Sequence, residues 1–186
     1  MRPILFAAAL AAAAPAAAKE PAPAARIVQE ADGSRTLVHE VVVKAPRAEV
    51  WAAISTAAGW KSWAVPVAWD SAPDLLETSY TATAVPGDAS TIRQQVLVRV
   101  PQRLMVFRTV KAPQGFPDFD TYAKVTSVFE LEEAGKGKTR VRLTGTGYAD
   151  TQAGRRLLAF FEKGNAASLG WLADRFRTGP KDWSKP

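Results

Sequence analysis

The stretch Thr151-Gln-Ala-Gly-Arg-Arg-Leu-Leu-Ala-Phe-Phe-Glu-Lys-Gly-Asn-Ala-Ala-Ser-Leu-Gly-Trp-Leu-Ala-Asp-Arg-Phe176 decides the architecture. Advancing roughly 100° per residue, Leu157, Leu158, Phe161, Leu169, Leu172 and Phe176 share one broad arc, and Arg155, Arg156, Glu162, Lys163, Asp174 and Arg177 fall opposite. This predicts one amphipathic helix. Asn165 and Ser168 land at the centre of its apolar arc. A buried amide or hydroxyl without a partner costs ~1–3 kcal/mol, so each of the two needs a fixed partner, a water or a ligand. Gly154, Gly164 and Gly170 weaken such a helix by up to ~1 kcal/mol each relative to alanine. They mark either close packing on strands or room for a guest.

Working back from the helix, strand-like runs cover Val67 to Asp70, Leu76 to Thr83, Thr91 to Val100, Arg103 to Val110, Lys124 to Glu132 and Thr139 to Gly147. Pro86-Gly87, Pro101 and Gly135-Lys-Gly137 stand between them as turn signals, and such short links imply an antiparallel meander. Leu76/Thr78/Tyr80/Ala82, Ile92/Gln94/Val96/Val98/Val100, Val125/Ser127/Phe129/Leu131 and Val141/Leu143/Gly145 alternate with charged or hydroxyl residues, so one face is dry. A dry face needs a cover, and the terminal helix is the only element long enough to supply it. The fold class is therefore α+β, a curved antiparallel sheet of about six to seven strands wrapped around a long C-terminal helix.

At the front of this unit, Thr36-Leu-Val-His-Glu-Val-Val-Val43 reads as a strand. Ala45 to Ala58 follows as a helix with Pro46 at its start and Gly59 at its end, and Trp60-Lys-Ser-Trp63 as a further helical turn. This order, together with Val43-Lys-Ala-Pro-Arg-Ala-Glu-Val-Trp51 and Trp60-Lys-Ser-Trp63, resembles the START-like helix-grip superfamily, often called SRPBCC. Its branches include birch-pollen-type allergens, polyketide cyclases and the Hsp ATPase activator homology group. The resemblance spans roughly Arg35 to Thr178. It implies a cavity between sheet and helix that takes lipids, sterols, polyketides or other apolar molecules.

The chain has 186 residues. Met1-Arg-Pro-Ile-Leu-Phe-Ala-Ala-Ala-Leu-Ala-Ala-Ala-Ala-Pro-Ala-Ala-Ala18 combines one basic residue, a short apolar run and small residues at Ala16 and Ala18, the pattern of a secretory signal peptide. Residues 19–34 then form a flexible Ala/Pro spacer, 35–178 the domain, and 179–186 a tail expected to leave the helix as coil. Export would place the domain in the periplasm or outside the cell, which disfavours a cytoplasmic co-chaperone role. There is no cysteine, so stability comes from packing alone. The formal charge of +6 falls by one without Arg2, and the bases are scattered among acids. That pattern argues against nucleic acid as a partner, while the apolar run of the leader, alanine-rich and shorter than the ~20 residues a spanning helix needs, argues against an integral membrane protein. Weak contact with an anionic membrane surface is left open, as is the oligomeric state.

Catalytic material is scarce. His39 is the only histidine and reads as a hydrogen-bonded or solvent-facing strand residue. Ala166-Ala-Ser-Leu-Gly170 lacks the first glycine of a nucleophile elbow. Gly135-Lys-Gly-Lys-Thr139 has Glu132 where a phosphate loop needs glycine, and Asp118-Phe-Asp120 has no calcium-loop spacing. No metal or cofactor is expected. Tyr80, Gln94 and Ser127 interrupt the inward alternations of the sheet as Asn165 and Ser168 interrupt the helix, and five polar groups converging on one interior suit a pocket. The loop Lys111 to Tyr122 adds Phe116, Phe119 and Tyr122 as pins or lid, and Phe129, Phe161 and Trp69 complete the expected wall. Trp51, Trp60 and Trp63 read as core. The convergence of polar groups, with the cavity that the resemblance implies, thus favours a carrier or sensor of a small apolar ligand. The alternatives are a polyketide cyclase or aromatase using Tyr80 or Arg108, and a protein-interaction domain with a filled cavity.

Overall fold

A computed structural model describes residues 23–185. The leader reading for residues 1–18 lies outside them. Eight strands form one antiparallel sheet in the order β1-β2-β8-β7-β6-β5-β4-β3. They are β1 (Ala25–Gln29), β2 (Arg35–Val43), β3 (Val67–Ala72), β4 (Leu75–Ser79), β5 (Ile92–Val100), β6 (Leu104–Lys111), β7 (Thr126–Glu133) and β8 (Thr139–Tyr148). The helices are α1 (Arg47–Ser55), α2 (Ala57–Lys61), α3 (Phe119–Tyr122) and α4 (Gln152–Thr178). This is the helix-grip architecture. The dry face of the sheet carries Leu37, Val43, Phe129, Leu131, Val141 and Leu143, and α4 covers it with Leu157, Leu158, Leu169 and Leu172.

The opposite face is wet. Arg142 there pairs with Glu40, Glu130 and Glu132 across β2, β8 and β7. Half-exposed pairs of this kind are worth ~0–1 kcal/mol each, so the two faces differ in character while the apolar one supplies the stability.

Several expectations are corrected. Ala25–Gln29, read as spacer, pairs with Arg35–His39 through the turn at Gly33, whose φ of 82° suits glycine. The tail does not leave as coil, because Lys181 N–H donates to Ser62 O at 2.9 Å and Trp183 Nε1 to Lys61 O at 2.6 Å. Gly59 does not end the first helix. Thr56 breaks it with an extended backbone, and its Oγ1 accepts from Gly59 N–H to start α2. Gly59 is needed because a Cβ there would stand 2.1 Å from Ala52 O. Val98 and Val100 are exposed, since the register shift between Val96 and Val98 ends the inward alternation. His39 is neither hydrogen-bonded nor solvent-facing. It is 1 % exposed, and neither ring nitrogen has a partner.

Candidate binding cavity

The interior divides into two apolar clusters. The larger joins α1, α2, the sheet centre and the end of α4, and the smaller joins Leu37, Val125, Tyr148, Leu157 and Leu158. A cavity of about 260 Å³ lies between them, walled by β5 to β8, α4 and the loop before α3. It is smaller than most ligand pockets, which run to ~300–1,000 Å³, and holds about nine water volumes at ~30 Å³ each.

Nine of the residues singled out in the sequence border this space: Tyr80, Gln94, Phe116, Tyr122, Ser127, Phe129, Phe161, Asn165 and Ser168. Two do not. β3 turns Ala68 to the buried side and leaves Trp69 half-buried elsewhere, and Phe119 opens α3 away from the cavity. Tyr80 follows the end of β4 and stands 63 % exposed at the mouth. Arg108 is on the outer face, where its Nε donates to Thr126 Oγ1 at 2.8 Å, and drops out as a reactive group.

Sequence reading missed Trp60, Trp63, Phe107, Leu143, Tyr148 and Phe160 in the lining. The two tryptophans read as core, and they are core as well as wall. Trp63 Nε1 donates to Ala53 O at 2.9 Å and Trp60 Nε1 to Ile54 O at 2.7 Å, so only their ring faces are offered. Tyr148 was hidden by strand parity. Gly147, at φ 92°, breaks the alternation of β8 and swings the next side chain inward. Its hydroxyl then occupies space that Gly145 leaves, 2.8 Å from where a Cβ would be.

The loop is pinned and forms a wall at once. Tyr122 stacks on Phe161 with ring centroids 4.6 Å apart, and Phe116 contacts both Tyr122 and Phe160. Asp118, at φ 56°, receives the Arg156 guanidinium on both oxygens and ties the loop to α4. On the other side of the mouth, the segment 80–91 is held by Glu77, which is fully buried. Its carboxylate accepts from Gly87 N–H at 2.8 Å and Ser71 Oγ at 3.1 Å, and pairs with Arg93. Burial would raise the Glu77 pKa, but Thr91, Gly87, Ser71 and Arg93 together bring it below the ordinary value.

No charged side chain borders the cavity. Among the described residues, the side chains of Tyr80, Gln94, Ser127, Tyr148, Asn165 and Ser168 make no hydrogen bond within the protein, so their polar groups are left to whatever fills the space. Tyr122 is half-committed, since Thr109 Oγ1 donates to its oxygen at 3.0 Å and its own proton stays free. Burial pushes the Tyr122 and Tyr148 phenols up from their usual range, so both remain protonated donors. Three of a kind meet here, because the chain has three tyrosines and all line this cavity. Among the described residues no group of three acidic, histidine or cysteine side chains could hold a metal, and no helix is long and apolar enough to cross a membrane.

A family described as "Polyketide cyclase / dehydrase and lipid transport" matches residues 34–178, and the chain belongs to it. Among solved structures, the Aha1 dimer from Colwellia psychrerythraea is similar at 18% identity and a TM-score of 0.60, covering 77% of this chain and 97% of that one. CalU16 from Micromonospora echinospora is similar at 18% identity and a TM-score of 0.57, covering 87% and 86%. The di-domain ARO/CYC BexL from the BE-7585A biosynthetic pathway gives 15% identity and a TM-score of 0.60, covering 82% of this chain and 48% of that one. At these identities the likeness concerns the fold. No curated protein matches the sequence.

Proposed function

We propose that the protein binds a compact, uncharged, apolar molecule bearing several oxygen atoms, held between the sheet and α4. The observation that carries this reading is the pairing of an uncharged lining with six polar side chains that have no protein partner. Five of the six are at least partly buried, and groups so placed are nearly always hydrogen-bonded, to water or a ligand where the protein offers no partner. A charged lipid headgroup would find no counter-ion in this lining. An intact two-chain lipid also exceeds the cavity of about 260 Å³. Ring faces of Trp60, Trp63, Phe107 and Phe129 would hold the apolar body, and Asn165, Ser168, Gln94 and the phenols would orient its oxygens.

Native mass spectrometry of protein purified from its own source tests the reading. A retained neutral mass of a few hundred daltons is expected, and a bare chain from gentle conditions counts against it. Asn165→Leu is expected to lose the retained molecule while keeping the melting temperature within a few degrees. A large stability loss with retention intact would make Asn165 a packing residue.

Cyclase chemistry is the second reading, and the Tyr122 hydroxyl favours it. With its oxygen occupied by Thr109, its proton is aimed at an acceptor such as a ketone oxygen, where a developing negative charge would be stabilised. The raised phenols argue for donors, not bases. Turnover of a poly-β-ketone that survives Tyr122→Phe and Tyr148→Phe would remove both from such a mechanism. We also propose export through residues 1–18. Intact mass of the natural protein is expected to begin at Lys19, and a chain retaining Met1 or Arg2 would refute it.

A further inference from the structure

A second cavity, of about 380 Å³, lies where the tail folds back on the end of α4. Trp171, Asp174, Arg175 and Thr178 form its helical side, and Lys181 and Asp182 its tail side. Trp63 borders both this cavity and the inner one. In contrast to the inner cavity, this one is bordered by charge.

The charges are unevenly satisfied. Both acids are engaged: Asp174 takes Arg177 Nη2 at 2.6 Å, and Asp182 takes Lys185 at 3.2 Å along with Ser184. Two of the bases are not. Among the described residues Arg175 has no acid partner, and its Nε is buried without an acceptor. Its guanidinium lies over the adjacent Phe176 ring, 5.1 Å from the centroid. Lys181 likewise has no acid partner, and its ammonium stands 4.0 Å from the Trp183 ring and 5.5 Å from that of Trp171. The end of α4 does not need these charges as caps, because Gly179 N–H and Thr178 Oγ1 already donate to the carbonyls of Arg175 and Asp174. A desolvated guanidinium N–H left without an acceptor is unfavourable, and an oxyanion is the acceptor that would satisfy it and Lys181 together. Trp171, 39 % exposed beside them, offers a face for a flat apolar group.

We infer that this outer cavity is a binding site for a small planar molecule carrying an oxyanion, a carboxylate or a phosphate. The oxyanion sits between Arg175 and Lys181, and the ring lies on Trp171. The tail positions Lys181 through its backbone bond to Ser62 and the Trp183 bond to Lys61. The site is independent of whatever the inner cavity holds.

Two-dimensional NMR of the full protein titrated with phenyl phosphate, benzoate and inorganic phosphate tests the assignment. Phenyl phosphate or benzoate is expected to move the Trp171 indole and Arg175 Nε–H signals together, saturably, at concentrations up to about 10 mM. Inorganic phosphate, lacking the ring, is expected to bind at least about tenfold more weakly. Arg175→Gln and Lys181→Gln should each weaken binding by about tenfold or more, as loss of a charge-assisted hydrogen bond requires. Lys181 is exposed on the tail, so its variant keeps the test valid if the Arg175 variant fails to fold. Absence of saturable shifts, or binding unchanged in Lys181→Gln, overturns the site. Equal binding of inorganic and phenyl phosphate overturns the planar-ring part of it.

Discussion

Gly154, Gly164 and Gly170 lie in one helix and have different reasons to be there. A Cβ on Gly154 would stand 2.0 Å from Ala149 O, whereas one on Gly164 or Gly170 meets nothing within 4 Å. Of the two readings open for these glycines, close packing applies at Gly154, against the backbone just after β8, and open space at Gly164 and Gly170. Gly164→Ala is expected to stabilise the protein by about 0.5–1 kcal/mol through helix propensity and reduced unfolded-state entropy. That corresponds to roughly 1–4 °C in melting temperature for a chain of this size. Gly154→Ala should lose about 1–3 kcal/mol to the forced backbone shift. Thermal melts of the pair are the check. Gly164→Ala melting lower than the parent would show that the open space is used. Asn165 and Ser168 were legible because polarity on an apolar arc needs only the helical period. Tyr148 was not, because a single positive φ at Gly147 reverses the parity on which strand reading depends.

Most elements could be read directly. The later strands and α4 carry readable periods, broken only where a register shift after Val96 or the positive φ of Gly147 reverses the parity, and the early Ala-Pro helix carries its own start signal. What escaped is structure made by partners distant in sequence. β1 has no alternation of its own and exists because β2 presents a free edge. The tail is held by two carbonyls at the end of α2. The segment 80–91 looks like an ordinary turn, yet a fully buried carboxylate and a lysine hold it, since Lys111 Nζ donates to Gly87 O and Asp88 O as Glu77 accepts from Gly87 N–H. Nothing in the local pattern marks Glu77 as buried. Glu77→Gln keeps the shape but weakens the charge-assisted bonds, and is expected to cost about 1–3 kcal/mol in urea unfolding. The loss should be largest above pH 4.5, the ordinary value for this carboxyl. Its native pKa is depressed, so its contribution is present above that value and fades as pH falls through the lowered one. A variant as stable as the parent at pH 7 would mean that the segment holds itself.

For the molecule as a whole, α4 is the lid of the inner cavity, and beneath it lies the single histidine. Burial pushes the His39 pKa down from 6.5, while the backbone and carboxylate of Glu162 on α4, outside hydrogen-bonding geometry, pull weakly the other way. A neutral ring is therefore favoured in the folded state, and the unfolded chain binds the extra proton first. By linkage, stability should fall as pH drops below 6.5, with a slope of at most about 1.4 kcal/mol per pH unit for one proton. This window lies above that of Glu77 and of Asp150, whose carboxyl is held low by Arg35 and Arg155, so the two contributions separate along the pH axis. His39→Leu removes both orphaned nitrogens as well as the titration. It is expected to match or exceed the parent by about 1 kcal/mol at pH 7 and to show a flat profile from pH 7 to 5. Urea unfolding at constant ionic strength across that range is the measurement. A slope that persists in His39→Leu would assign the acid sensitivity to some other group and leave the histidine as packing.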